Sequence, residues 1–115
     1  MFKIRQHRLG EQLREMIAQI IHQELKDPRL GFITITRVDL TSDGSYAKVG
    51  YSCLGSETER ERSQEALDHA AGFVRSLIRK RLHVKVIPEL TFRYDASITD
   101  SIEMSRKLDE LRDAS

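Results

Sequence analysis

The chain of 115 residues has no tryptophan, one cysteine and two prolines, and only 6 % of its residues are aromatic. Each scarcity excludes something. A lone cysteine, Cys53, cannot form an internal disulfide and fits a reducing, cytoplasmic setting. So few aromatics argue against a base-stacking platform of the RNA-recognition-motif kind. No uncharged apolar run approaches the roughly eighteen residues of a membrane span, so no membrane partner is expected. The apolar part of residues 1–5 is too short for a secretory signal. His7, His22, His69 and His83 are scattered, and none has a cysteine or second histidine at metal-ligand spacing, so no metal or cofactor is expected. His83 reads as structural or RNA-adjacent. Phosphate-binding glycine loops, Gly-x-Ser-x-Gly and His-Glu-x-x-His are all missing. Asp39, Glu89 and Asp95 sit at strand ends among lysines and arginines, a setting that does not mark a catalytic pair. Cys53 alternates with inward residues and is expected to be buried.

What is present suits one domain with a single modest core: 39 % apolar and 32 % charged residues. The formal net charge is only +1, yet the charge is polarised along the chain. Residues 1–14 carry Lys3, Arg5, Arg8 and Arg14 against Glu11. Residues 57–69 are acidic, with Arg60 and Arg62 outnumbered by Glu57, Glu59, Glu61, Glu65 and Asp68. Residues 70–87 then hold Arg75, Arg79, Lys80, Arg81 and Lys85 with no acid at all, and residues 88–115 return to a net negative balance. A focused basic patch of this kind can bind phosphate while acidic surface elsewhere limits indiscriminate binding.

Apolar periodicity predicts a helix over about 6–26, with Leu9, Leu13, Met16, Ile17, Ile20, Ile21 and Leu25 on one face. It should stop at Asp27-Pro28, because the residue before proline is pushed out of the α region. "GFITITRVDL" and "YAKVGYSCL" read as strands, joined by a tight turn at Asp43-Gly44. In the second strand Ala47, Val49, Tyr51 and Cys53 alternate with polar or small residues. Ser56 and Glu59 form a capping-box pattern that starts a second helix. A third strand is expected over about 84–95, with Val84, Val86, Leu90, Phe92 and Tyr94 on one side and Pro88 at an edge or bulge. Residues 97–115 read as a last helix capped by Ser97, with Ile98, Ile102, Leu108 and Leu111 on its stripe and a fraying end. The expected fold class is α+β: a three-stranded sheet with helices on one face and a mostly polar opposite face.

Four stretches carry a resemblance: "ELKDPRLGFITITRVDLTSDGSYAKVGYS", "ALDHAAGFVRSLIRKRL", "HVKVIPELTFRYD" and "SIEMSRKLDEL". Together they resemble the ribosome-binding factor A family over essentially the whole chain, in a type II KH-like fold of order α-β-β-α-α-β with an added C-terminal helix. The resemblance implies residues 1–96 as the KH-like RNA-binding domain and 97–115 as a helical tail. It implies a non-enzymatic assembly factor that binds 16S rRNA in free 30S small subunits and promotes late maturation and precursor processing. It further implies a need at low temperature, coupling to an assembly GTPase, and a monomeric, cytoplasmic protein. Ordinary KH domains clamp single-stranded backbone with a Gly-x-x-Gly loop between two helices. Here that place reads Ala70-Ala71-Gly72, the Ala-x-Gly form typical of the family.

Gly72 lies amid helical spacing (Ala70, Ala71, Val74, Leu77, Ile78, Leu82), where it weakens a helix by about 1 kcal/mol relative to alanine. One expectation is that the helix kinks or breaks there, so that the second half begins with free amides that favour phosphate. Arg75 and Arg79 would extend that site on an exposed face, with Lys80, Arg81 and Lys85 alongside. The plainer reading makes Gly72 a packing kink and Arg79, Lys80 and Arg81 cations favoured by the helix C-terminus. Lys3, Arg5 and Arg8 read equally as an RNA-contacting arm or a solvated tail. Two other function classes stand beside the leading one: a KH-like binder of messenger or small RNA, and a small RNA-processing enzyme.

Overall fold

A computed structural model describes residues 2–96; the expected C-terminal helix over 97–115 lies outside them. Helix α1 (Phe2–Glu24) buries Leu13, Ile17, Ile20 and Ile21, the centre of the predicted apolar face. It begins four residues earlier than expected and ends at Glu24, four residues before Pro28. The chain then turns on Asp27, whose Oδ1 accepts from the Arg29 amide at 2.9 Å while its carbonyl accepts from the Leu30 amide at 3.0 Å. Such side-chain-to-backbone turns are what make Asp a turn residue.

Strands β1 (Phe32–Leu40) and β2 (Tyr46–Leu54) form an antiparallel hairpin. Its turn closes through the Gly44 amide on the Thr41 carbonyl at 2.9 Å, with Gly44 at φ +74, a conformation that glycine adopts without a Cβ penalty. Asp43 Oδ1 accepts from the amide and hydroxyl of Ser45 and from the Thr41 hydroxyl. The pairing slips between Ile35 and Arg37, which makes Thr36 a bulge residue. Helix α2 (Glu57–Arg81) follows, capped by Ser56, whose hydroxyl accepts from the Glu59 amide. Strand β3 (Glu89–Tyr94) then pairs parallel with β2 to give the order β1-β2-β3.

The helices lie on one face of the sheet, α1 over β1 and α2 over β3. Between them and the sheet, Leu13, Ile17, Val49, Tyr51, Leu67, Val74, Ile78 and Phe92 form the core. The inward set of β2, Ala47, Val49, Tyr51 and Cys53, is buried as the alternation predicts. Gly10 brings α1 against β1: a Cβ there would stand 3.0 Å from the Val38 carbonyl oxygen. The arrangement is KH-like, with two corrections to the sequence reading.

The first correction concerns the middle helices. α2 is one continuous helix through Ala70, Ala71 and Gly72, not two helices separated by a break. Leu67, Val74 and Ile78 are buried on both sides of the glycine, and Ala70 and Ala71 pack against the core. That burial outweighs a local propensity cost of about 1 kcal/mol. No second helix start exists at Gly72, and the phosphate site expected from free amides there is not formed.

The second correction concerns the third strand. It begins at Glu89, not near residue 84, and the residues before it form a loop. β2 starts at Tyr46, the partner of Glu89, so residues 84–88 have no strand beside them to pair with. Val84 and Val86, expected inside, are 40 % and 46 % exposed, whereas Ile87 is buried.

Candidate nucleic-acid interface

The cations of the acid-free run do not share one face. At about 100° per residue, Gly72, Ser76, Arg79 and Lys80 fall on the side of α2 away from Val74 and Ile78, and all four are exposed. Arg81 swings toward α1, where its Nη2 lies 3.7 Å from Glu24 Oε1. A solvated pair this long contributes roughly 0–1 kcal/mol and leaves the guanidinium available. Lys85 is exposed on the loop before β3, not on a strand.

Arg75 corrects the expectation most clearly. Its side chain is half-buried and folds over the loop before β3, donating from Nη2 to the Ile87 carbonyl at 2.9 Å and from Nε to the Pro88 carbonyl at 3.2 Å. Those carbonyls precede the first β3 residue, so they lie outside the sheet ladder, and a buried carbonyl without a partner is costly. Arg75 is therefore a structural brace between α2 and the β3 entry, not an outward cation.

Phe73 is a further exposed residue that is not among the sequence candidates. It is 48 % exposed and stands two helical turns before Lys80 on the same line of α2. The signal was present, since Phe73 falls outside the apolar spacing that Val74, Leu77 and Ile78 keep. The outer side of α2 thus runs from acidic (Glu61, Glu65, Asp68) through a small, uncharged window at Gly72 and Ser76 to cationic at Arg79 and Lys80, with Phe73 alongside. No heavy atom stands within 4 Å of a Cβ built on Gly72, so nothing in the described fold requires a glycine there.

Near the other end of the chain, Lys3 and Arg5 stand in the first turns of α1, and Arg8 is exposed on the same helix. The backbone is helical from Phe2, so Lys3, Arg5 and Arg8 all belong to α1. Gln6 ties this end to the hairpin, its Nε2 donating to the carbonyls of Thr41 and Ser42 at 3.2 and 2.7 Å.

The remaining sequence candidates separate cleanly. Cys53 is buried, with its Sγ 3.6 Å from the Ser63 hydroxyl. Asp39 pairs with Arg37 Nε at 3.0 Å, and Asp95 accepts from the Thr36 hydroxyl at 2.9 Å. Arg29 holds Asp27 at 2.7 Å, and these bonds pull the carboxyl of Asp27 down to about 2. Among the described residues, no group of three His, Cys, Asp or Glu side chains could hold a metal ion, and no helix is long and apolar enough to cross a membrane.

Comparison with known proteins matches this arrangement at the level of the whole domain. A family model described as Ribosome-binding factor A matches residues 5–108. A ribosome-binding factor A from Thermomicrobium roseum is 48 % identical over 108 residues, covering 94 % of this chain and 84 % of that protein. The crystal structure of ribosome-binding factor A from Thermus thermophilus superposes with a TM-score of 0.69 at 30 % identity, covering 77 % of this chain and 93 % of that one. A Thermus thermophilus ribosome-binding factor A model fitted into a cryo-EM map of a 30S complex gives a TM-score of 0.64, also at 30 % identity, covering 76 % and 91 %. The chain belongs to the ribosome-binding factor A family.

Proposed function

We propose that the protein binds the small ribosomal subunit through phosphates of 16S rRNA, using the outward side of α2. The observation that carries this reading is the exposed line of Gly72, Phe73, Ser76, Arg79 and Lys80 on one side of a continuous helix. Arg79 and Lys80 supply charge, Phe73 offers a ring face to a base or ribose, and Gly72 and Ser76 leave room for a sugar-phosphate backbone to come close. Arg81 and Lys85 extend the charge beyond the helix end, and Arg8, Lys3 and Arg5 form a separate basic element on α1. A family relative has been fitted into a map of a 30S complex, which supports the same partner here.

Such a factor acts by binding, not by chemistry. Holding one rRNA conformer more tightly than another shifts the population toward it, and no catalytic group is needed. In this reading the protein works as a monomer in the cytoplasm during late maturation of free small subunits. It promotes processing of the 16S precursor, matters most at low temperature and leaves with the help of an assembly GTPase.

Two measurements test the reading. In lysate gradients the protein should sediment with free small subunits and not with polysomes. Association with messenger RNA in their absence would favour a general RNA binder instead. In direct binding, phosphate contacts by Arg79, Lys80, Arg81 and Lys85 alone give a log–log salt slope of roughly −2.8 to −3.6. A slope near zero would remove phosphate from the interaction.

A further inference from the structure

The opposite side of the molecule carries a second group of cations. On the sheet face turned away from the helices, Arg37, Gly50 and Arg93 form one rung across the three strands, and Asp39, Lys48 and Thr91 form the next. Strands lie about 4.8 Å apart, so Arg37 and Arg93 stand roughly 10 Å from each other at their Cα atoms, on either side of a glycine. Without a side chain at Gly50 the rung dips between them. The bulge lays the Thr36 side chain over the glycine, which is buried: a Cβ on Gly50 would come within 2.9 Å of the Thr36 hydroxyl oxygen, and the depression opens beside that cover. Arg37, Lys48 and Arg93 line a depression of about 180 Å³, together with the carboxylates of Asp39 and Asp95.

Both acids are hydrogen-bonded to residues of β1, and three cations face two carboxylates. Asp39 engages Arg37 through Nε alone, and Arg37 makes no other bond among the described residues. Asp95 accepts from the Thr36 hydroxyl. Lys48 and Arg93 are exposed and have no ion-pair partner among the described residues. At the far end of the same face, Phe32 stands opposite Leu54 across β1 and β2, and they are 84 % and 78 % exposed. A small free anion would use the depression and ignore that end. A polymer that pairs phosphates with unstacked bases would use both.

We propose that this sheet face is a second RNA contact, in which Arg37, Lys48 and Arg93 hold phosphate at the depression beside Gly50. It rests on the reading of the protein as an rRNA binder, and it adds that the domain sits between two RNA segments, one against α2 and one against the sheet. The two surfaces lie on opposite sides of a two-layer fold, so their contributions should be nearly independent.

The test is binding of the full chain to purified free small subunits from 50 to 200 mM salt. Lys48→Glu with Arg93→Glu should weaken binding and lower the magnitude of the salt slope by about 1.4 to 1.8, the share of two phosphate contacts. Lys48→Gln with Arg93→Gln should move the slope the same way, and serves if the charge reversal harms folding. Arg79→Glu with Lys80→Glu should lower the slope separately, and the two losses should add. Wild-type affinity and slope in both open-face variants would overturn this inference alone. Weakened binding with an unchanged slope would overturn it too, pointing to an acidic protein partner in place of RNA. A wild-type chain that fails to bind subunits at all would overturn the proposed function and this inference with it.

Discussion

Arg75 on α2 grips Ile87, its Nη2 donating to the carbonyl oxygen across 2.9 Å, so a residue in the middle of a basic run spends its charge inside the fold. Hydrogen bonds from a charged donor are worth about 1.5–3 kcal/mol, and here one guanidinium makes two such contacts. Arg75→Ala should lower stability by about 2 kcal/mol in denaturant unfolding, with little change in the salt slope of RNA binding. If Arg75→Ala unfolded at the wild-type midpoint and changed the slope instead, the brace assignment would fail.

Gly72 and Gly10 should respond to alanine in opposite directions. Gly72 is exposed, helical and unobstructed, so Gly72→Ala should stabilise by about 1 kcal/mol and raise Tm by roughly 4–8 °C. Gly10→Ala drives a methyl toward the Val38 carbonyl, and overpacking of this kind costs about 1–3 kcal/mol. Thermal melts of the two variants side by side decide the matter. A destabilised Gly72→Ala would mean that the glycine serves the fold after all.

Ser63 joins α2 to the entry of β1. It is buried, accepts from the Gly31 amide at 3.0 Å and donates to the Arg29 carbonyl at 3.4 Å. Ser63→Ala leaves that amide without its partner and should cost about 1–3 kcal/mol. Hydrogen exchange at Gly31 should quicken in the variant by more than its global destabilisation accounts for.

Acid should weaken the turn after α1. The bonds from Arg29 lower the Asp27 carboxyl from 3.8 to about 2 on folding. A depressed carboxyl contributes stability that is present above pH 3.8 and lost as pH falls toward 2. Asp43 behaves alike, held down to about 2 first by the Ser45 hydroxyl and amide. Melting temperature should therefore hold from neutral pH to about 5 and decline below 4. Asp27→Asn should remove part of that decline, and a decline of the same size in that variant would exclude Asp27 as a source.

Local rules made much of this fold legible. Asp43-Gly44 turns the hairpin, strict alternation from Ala47 to Cys53 marks the buried side of β2, and Ser56 caps α2, whereas α1 ends at Glu24, short of the stop offered by Asp27-Pro28. What stayed hidden depends on neighbours distant in sequence. Val84-Lys85-Val86 has strand-like alternation, but β2 offers no partner before Tyr46, so the stretch is a loop and its valines face outward. Arg75 looked like its basic neighbours because the carbonyls it serves lie twelve and thirteen residues away. Gly72 suggests a break on propensity alone, which the burial of Leu67, Val74 and Ile78 around it overrides. Thr36 carries no local bulge signal, so the depression beside Gly50 is not legible in the sequence either.

The parallel pairing of β2 with β3 has a consequence for synthesis. β2 is the middle strand, its first neighbour precedes it directly, and its second arrives only after the 25 residues of α2. A chain stalled or truncated before Glu89 leaves one flank of β2 with unsatisfied amides and carbonyls, an adhesive edge that invites aggregation. Production of the domain should thus be sensitive to premature termination well beyond the hairpin, and fragments ending within α2 should accumulate as insoluble material.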